Sequence, residues 1–137
     1  MKAVSIWTDG SCSNNPGPGG FAAILQCGEH TREITGGEPS TTNNRMELRA
    51  IVAGLEAIKA AAEITVYADS LYAIGAFTGN KIKKNADLIA AGLLKIEVIR
   101  KMGGTVTFQH VNGHAGDPLN ERCDKLAHQQ TAIMKGV

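Results

Sequence analysis

Two hydrophobic periods alternate along this chain, one of strands and one of helices. Residues 3–8, AVSIWT, are apolar with partial alternation and predict a buried strand. Residues 14–20, NNPGPGG, hold two prolines and three glycines, which argues against both helix and central strand. Residues 21–27 predict a second strand, Gly28-Glu29 a hairpin turn, and residues 31–35 a third strand before a polar loop over 36–43. Leu48, Ile51, Val52, Leu55 and Ile58 then recur at helical spacing, in a helix from about residue 44. A short strand at 64–68 leads into a helix over 70–77, a lysine-bearing loop over 78–85, and a long helix over 86–101 closed by Gly103-Gly104. Residues 105–111 form the last strand. Asp117-Pro118, an N-cap followed by a first-turn proline, opens a helix to about residue 134.

The order is three strands, helix, strand, two helices, strand, helix. Adjacent early strands suit antiparallel hairpins, and later strands reached through helices suit parallel crossovers. The pattern predicts an α/β fold, a mixed five-stranded sheet with helices on both faces. At 137 residues the chain is read as a single domain over 1–137. Trp7 and Phe21 lie within strands and read as core rather than as platforms for stacking bases.

Composition narrows the class of function only slightly. The chain is 43% hydrophobic and 20% charged, ordinary for a globular domain, and no apolar run is long enough to cross a bilayer. Three cysteines without a C-x-x-C pair argue against a disulfide framework, and Cys123 reads as packing. A cytoplasmic monomer is expected. The net charge of +1 is a poor recommendation for a nucleic-acid binder, yet setting aside four of the 13 acids for a metal site leaves nine against 14 bases.

Those four are Asp9, Glu47, Asp69 and Asp124. Asp9 and Asp69 end strands, where open α/β sheets carry their chemistry. Glu47 stands near a helix start and Asp124 in the early part of the last helix. If the helical pair comes alongside the strand pair, four like charges converge, which is costly unless they are protonated or bind cations. Hard oxygen ligands select Mg²⁺ or Mn²⁺, and two such ions suit in-line displacement at phosphorus. Singly, each acid has an ordinary reading. Asp9 before glycine suits a turn, Glu47 a helix dipole, Asp69 a helix cap, and Asp124 a solvated face. Spacing alone does not single them out; the signal is their joint placement. His114, in a glycine-flanked loop, suits proton relay or product release, or is simply a surface residue. His30, His110 and His128 show no metal-type spacing, so zinc is not expected.

Six blocks occur together in one order: Thr-Asp-Gly-Ser at 8–11, Asn-Pro-Gly-Pro-Gly-Gly at 15–20, Thr-Thr-Asn-Asn-Arg-Met-Glu-Leu at 41–48, Ala-Asp-Ser at 68–70, Gly-His-Ala-Gly at 113–116 and Asn-Glu-Arg-Cys-Asp at 120–124. With them the chain resembles type 1 ribonuclease H. The resemblance implies a ribonuclease H-like fold and an endonuclease that cuts the RNA strand of an RNA–DNA hybrid with two Mg²⁺ ions, Mn²⁺ being a possible substitute. It implies 5′-phosphate and 3′-hydroxyl ends and little sequence preference. By motif position Asp9, Glu47, Asp69 and Asp124 would hold the metals, His114 would be the loop histidine, and Glu121 an acid behind Asp124. Cys12, Asn15, Gly19, Thr42, Asn43, Asn44 and Arg45 would meet substrate. Among these, Asn15 and Thr42 suit a DNA-strand phosphate, and Arg45 braces either its loop or a phosphate. One of Asn43 and Asn44 is also expected to cap the helix.

The chain departs from the pattern where many bacterial members carry a basic, tryptophan-bearing insertion: residues 78–85 hold three lysines and no aromatic. Leu71 stands where glutamine is common and Asn112 where lysine is frequent, and Asp117 and Leu119 make the His114 loop less basic. These changes predict a catalytically complete enzyme of modest, salt-sensitive affinity. The asparagine-bearing loops at 12–15 and 42–45 argue against a transposase-like DNA nuclease, and retention of all four acids argues against an inert hybrid-binding module.

Overall fold

Alternation along the first strand divides the interior in two. Ile6 turns to one side of the sheet and joins Leu48, Ile51 and Leu55, whereas Trp7 turns to the other and packs against Cys123 and Leu126. The computed structural model describes residues 1–112 and 117–136. In chain order its elements are β1 (Lys2–Cys12), β2 (Gly17–Cys27), β3 (His30–Thr41), α1 (Asn43–Glu56), β4 (Ala62–Ala68), α2 (Leu71–Phe77), α3 (Ala86–Lys101), β5 (Thr105–His110) and α4 (Pro118–Lys135). The five strands lie in the order β3-β2-β1-β4-β5, antiparallel across the first two pairings and parallel across the last two. The larger core gathers α1, α2 and α3 on one face, and α4 covers β1 and β2 on the other. The expected mixed sheet with helices on both faces is the one observed.

The first three strands run further than their hydrophobic patterns predict. Residues 17–20 belong to β2, with Gly20 opposite Ser11 and Gly19 opposite Cys12, although the prolines argued against a strand there. A register shift between Gly17 and Gly19 accommodates Pro18, whose carbonyl accepts a 2.8 Å hydrogen bond from Ser13 N. The expected loop at 36–43 is strand as far as Thr41, since β3 is an edge strand and its outer side tolerates Pro39 without a ladder donor. Phe21 and Trp7 are core residues as read. Phe21 is buried, and Trp7 stacks on Tyr67 with ring centroids 4.1 Å apart. No described helix is long and apolar enough to cross a membrane.

Candidate active site

The parallel pairing of β1 with β4 brings the first two acids together. Trp7 faces Tyr67 in register, so Asp9, within β1 rather than at its end as expected, and Asp69, the residue after β4, each two residues further on, come out at the carboxyl end of this central pair. Glu47 arrives from α1, which passes unusually close to β1. A Cβ added at Gly10 would lie 2.4 Å from Glu47 N and 2.5 Å from the Met46 carbonyl carbon. Glycine at this position is therefore what admits the helix. Its amide donates to Glu47 Oε1 at 2.6 Å and to Asp9 Oδ1 at 2.9 Å, tying both carboxylates to one backbone group.

Asp9, Glu47 and Asp69 each place a carboxylate oxygen within 4.8 Å of the others'. Asp9 and Glu47 are only 6% and 5% exposed, so their charges are poorly solvated. Burial pushes the Asp9 carboxyl up to about 7, and the Asp69 charge adds to the rise. Burial likewise raises Glu47 well above the usual carboxylate range, reinforced by Asp9 and Asp69. Asp124 approaches Asp9 from α4 and also raises its pKa, but it is exposed and stands outside the close trio. The four acids line one cavity of about 450 Å³, with Ser11, Cys12, Asn43, Ser70 and His128 among its other walls.

Neighbouring residues take up the duties that would otherwise occupy these side chains. Ser70 caps α2 by accepting from Ala73 N at 3.1 Å, which leaves the Asp69 carboxylate to the cavity. Thr42 caps α1 through Arg45 N, not Asn43 or Asn44 as the pattern suggested. Asp117 caps α4 with bonds from Leu119 N and Asn120 N.

The residues expected to meet substrate separate into groups. Asn15, Thr42, Asn43 and Asn44 line a second cavity of about 580 Å³, facing Lys81, Lys83 and Lys84. Asn15 Oδ1 accepts from Asn43 N at 2.8 Å and joins the two loops. Asn43 lines both cavities, so they lie side by side. Arg45 braces its surroundings. It makes two bonds to Asp87, at 2.8 and 3.0 Å, and a third to Asn85 Oδ1 at 3.3 Å. The Arg45 guanidinium accordingly lowers the Asp87 carboxyl to about 2. Asn85 donates in turn to the Tyr72 hydroxyl at 2.9 Å, linking α1, α2 and the start of α3. Gly19 is buried, and a Cβ there would come within 2.5 Å of Thr41 Cγ2. The Cys12 sulfur lies 3.5 to 3.8 Å from the carbonyls of Thr41, Gly17 and Ser13. Glu121 is exposed in the first turn of α4 and is not among the cavity's lining residues. His114 lies outside the described residues.

His128, which the sequence suggests only as a histidine without metal-type spacing, lines the acidic cavity. It stands one helical turn after Asp124. Its Nδ1 donates to the Asp124 carbonyl at 2.8 Å and lies 3.4 Å from the Asp124 carboxylate. An (i, i+4) pair with a candidate ligand was the signal available. Cys123 is packing, as read: its thiol donates to the carbonyls of Ala22 and Trp7, and burial pushes its pKa up.

A family model described as RNase H matches residues 1–132. The ribonuclease H of Syntrophomonas wolfei is 47% identical over 140 aligned residues, 93% of this chain and 94% of that protein. That of Agrobacterium fabrum is 43% identical, covering 94% of each. Among solved structures, the N-terminal RNase H domain of Rv2228c from Mycobacterium tuberculosis superposes with a TM-score of 0.81 at 26% identity, covering 99% of this chain and 98% of that one. LC11-RNase H1, solved in complex with an RNA/DNA hybrid, shares the fold with a TM-score of 0.76 at 24% identity over 95% of this chain and 97% of that one.

Proposed function

The chain belongs to the RNase H family, and from that premise we propose that it hydrolyses the RNA strand of RNA–DNA hybrids at the Asp9, Glu47, Asp69 and Asp124 cluster with two Mg²⁺ ions. The carrying observation is the convergence of three carboxylates, two of them buried, in a cavity that shares the Asn43 wall with a lysine-lined one. The donor set suits the ions. It offers hard oxygens and unbalanced negative charge, and the trio contains neither the thiolate nor the imidazole that would favour zinc. Asp9, Glu47 and Asp69 would hold one ion, and Asp9 with Asp124 would contribute to the second; Mn²⁺ meets the same chemistry. When bound, the pair supplies Lewis-acid activation of water and of the leaving oxygen, giving 5′-phosphate and 3′-hydroxyl ends.

The protein's own groups orient and hold. The Gly10 amide fixes two carboxylates, and Ser70 leaves Asp69 unencumbered. The Asn15–Thr42 wall with its facing lysines suits a DNA-strand phosphate. Small polar groups at Cys12, Asn43 and Asn44 suit the 2′-hydroxyls of a wide minor groove, which makes recognition nearly independent of base sequence. By motif position we assign proton transfer to His114 and a supporting role to Glu121. We read the protein as a cytoplasmic monomer.

The test is a hybrid labelled separately on each strand, incubated with Mg²⁺, with EDTA, and with the Asp9→Asn variant. RNA cleavage that needs both the metal and Asp9 and spares DNA is expected. Equal cutting of the DNA strand, or undiminished cutting by Asp9→Asn, would overturn the proposal.

A further inference from the structure

A third cavity, of about 260 Å³, adjoins the acidic one on the side away from the lysine loop, and the two share Ser11, Cys12 and His128 as walls. It lies between the end of β1 and one stripe of α4, with Ser13, Thr131 and Lys135 completing the polar lining. Asp124, His128, Thr131 and Lys135 are spaced four, three and four residues apart, so they share one helical face. That face is held rigidly. A Cβ at Gly20 would come within 2.6 Å of Ala127 O and Thr131 N, so this glycine lets α4 seat directly on β2. The Thr131 hydroxyl bonds to Ala127 O at 3.1 Å and turns back into the helix.

The acidic cavity thus borders the other two, through Asn43 on one side and through Ser11, Cys12 and His128 on the other. Lysines stand at one end, carboxylates in the middle, and Lys135 at the far end. Lys135 has no carboxylate partner among the described residues, whereas Lys101 near the end of α3 pairs with Glu97. No acid lines the third cavity, so an anion leaving the metal site on this side meets hydroxyls, an imidazole and an ammonium group. From Asp124 to Lys135 the helix rises about 16 Å. At about 3.4 Å per nucleotide along a duplex strand, that reaches a phosphate within about five nucleotides of the cut.

We infer that the groove between Ser11–Ser13 and the His128–Lys135 face of α4 is a phosphate subsite for the cleaved RNA strand, with Lys135 as its cationic anchor. The inference rests on the proposed hybrid nuclease reading. It extends the footprint beyond the metal site in the direction opposite to the lysine loop. A short basic loop is then supplemented by a contact on the other flank.

The experiment measures binding of a fluorescent RNA–DNA hybrid to the full chain in EDTA across a salt series, using Lys135→Ala, Lys135→Arg and, as a control for general charge loss, Lys59→Ala in the loop between α1 and β4, which lines none of the three cavities. Strand-specific cleavage by the wild type is recorded in parallel. Lys135→Ala is expected to lower the slope of log K against log salt by about 0.9, the value of one lost phosphate contact, and Lys135→Arg to restore it. Hybrids shortened on one flank of the cut should bind the wild type less tightly while binding Lys135→Ala with no further loss. A wild type that cleaves hybrids normally, with Lys135→Ala matching its slope and its length dependence or differing only as much as Lys59→Ala does, overturns the subsite alone. A wild type that neither binds nor cuts hybrids overturns the nuclease reading and the subsite with it.

Discussion

Replacing Asp9 with asparagine should make the metal-free protein more stable while abolishing its chemistry. The Asp9 carboxyl rises from 3.8 to about 7 through burial and the charges of Asp69 and Asp124. A carboxyl with a higher pKa in the folded state than in the unfolded chain holds its proton more tightly when folded. Its ionisation therefore opposes folding. That penalty is absent below about pH 4, grows through the interval, and is complete above about pH 7. A rise of this size corresponds to a penalty on the order of 4 kcal/mol, a ceiling because Asp9 and Glu47 share their protons. At roughly 3 °C per kcal/mol for a chain of this length, Asp9→Asn should raise Tm by several degrees and by no more than about 12 °C at pH 8 in EDTA. Its advantage should shrink toward pH 4. Mg²⁺ should stabilise the wild type more than the variant, since the ion relieves the same repulsion. Urea or thermal unfolding at several pH values, with and without Mg²⁺, checks this. An Asp9→Asn protein no more stable than wild type at pH 8, with an unchanged pH slope, would refute the claim that the cluster is electrostatically strained.

Other substitutions probe how the site is built. Gly10→Ala places a methyl 2.4 Å from Glu47 N, so α1 must withdraw by about 1 Å to reach ordinary contact. A displacement of that size should cost about 100-fold in kcat/KM and roughly 1–3 kcal/mol in urea unfolding, and a variant with wild-type turnover would contradict the packing argument. Ser70→Ala removes the α2 cap and should cost about 1 kcal/mol of stability. Hybrid turnover should fall further than stability alone explains, because the backbone carrying Asp69 loosens. Arg45→Ala unties α1 from Asn85 and Asp87, and it should raise KM more than it lowers kcat, with a lysine-loop groove that exchanges amide hydrogens faster. Steady-state kinetics with hydrogen exchange over residues 78–85 would show the opposite balance if Arg45 instead touched the reacting strand.

The sheet was legible because its inner strands are short apolar or alternating runs, β2 buried on both faces and β4 on alternate positions, while its helices carry apolar stripes, so period separated them. The ends of β2 and β3 were not, because a bulge at Gly17/Gly19 and an edge position overrode the local cost of proline. Both are pairing properties, set by where a strand lies in the sheet and absent from the segment itself. The same limit applied to the site. Asp9 and Asp69 could be placed together from strand order, but the burial of Glu47 depends on the close approach permitted by Gly10, which a motif records only as a recurring dipeptide. Gly19 and Arg45 carry the family's spelling, yet one is buried in packing and the other is paired with Asp87.

Each ordinary reading of an acid was sound as local chemistry; a helix start does need a cap, and Asp69 could have served. What decides the matter is competition between neighbours. Ser70 takes the cap beside Asp69, and Asp117 takes the cap of the helix that carries Asp124. Thr42 does the same beside Asn43 and Asn44. With local backbone donors already satisfied, Asp69, Asn43 and Asn44 are not recruited as caps, and Asp124 has the His128 imidazole of its own helix beside it. All four line the cavities around Asp9 and Glu47, which are too poorly solvated to ionise at little cost. Removing a cap should therefore weaken the site in two ways, by fraying the helix and by freeing backbone N–H groups that attract the carboxylate away from the metal position. Ser70→Asp restores the cap and brings a second carboxylate next to Asp69. It should recover the stability lost in Ser70→Ala without recovering its turnover, and full recovery of both would show that capping alone accounts for the residue.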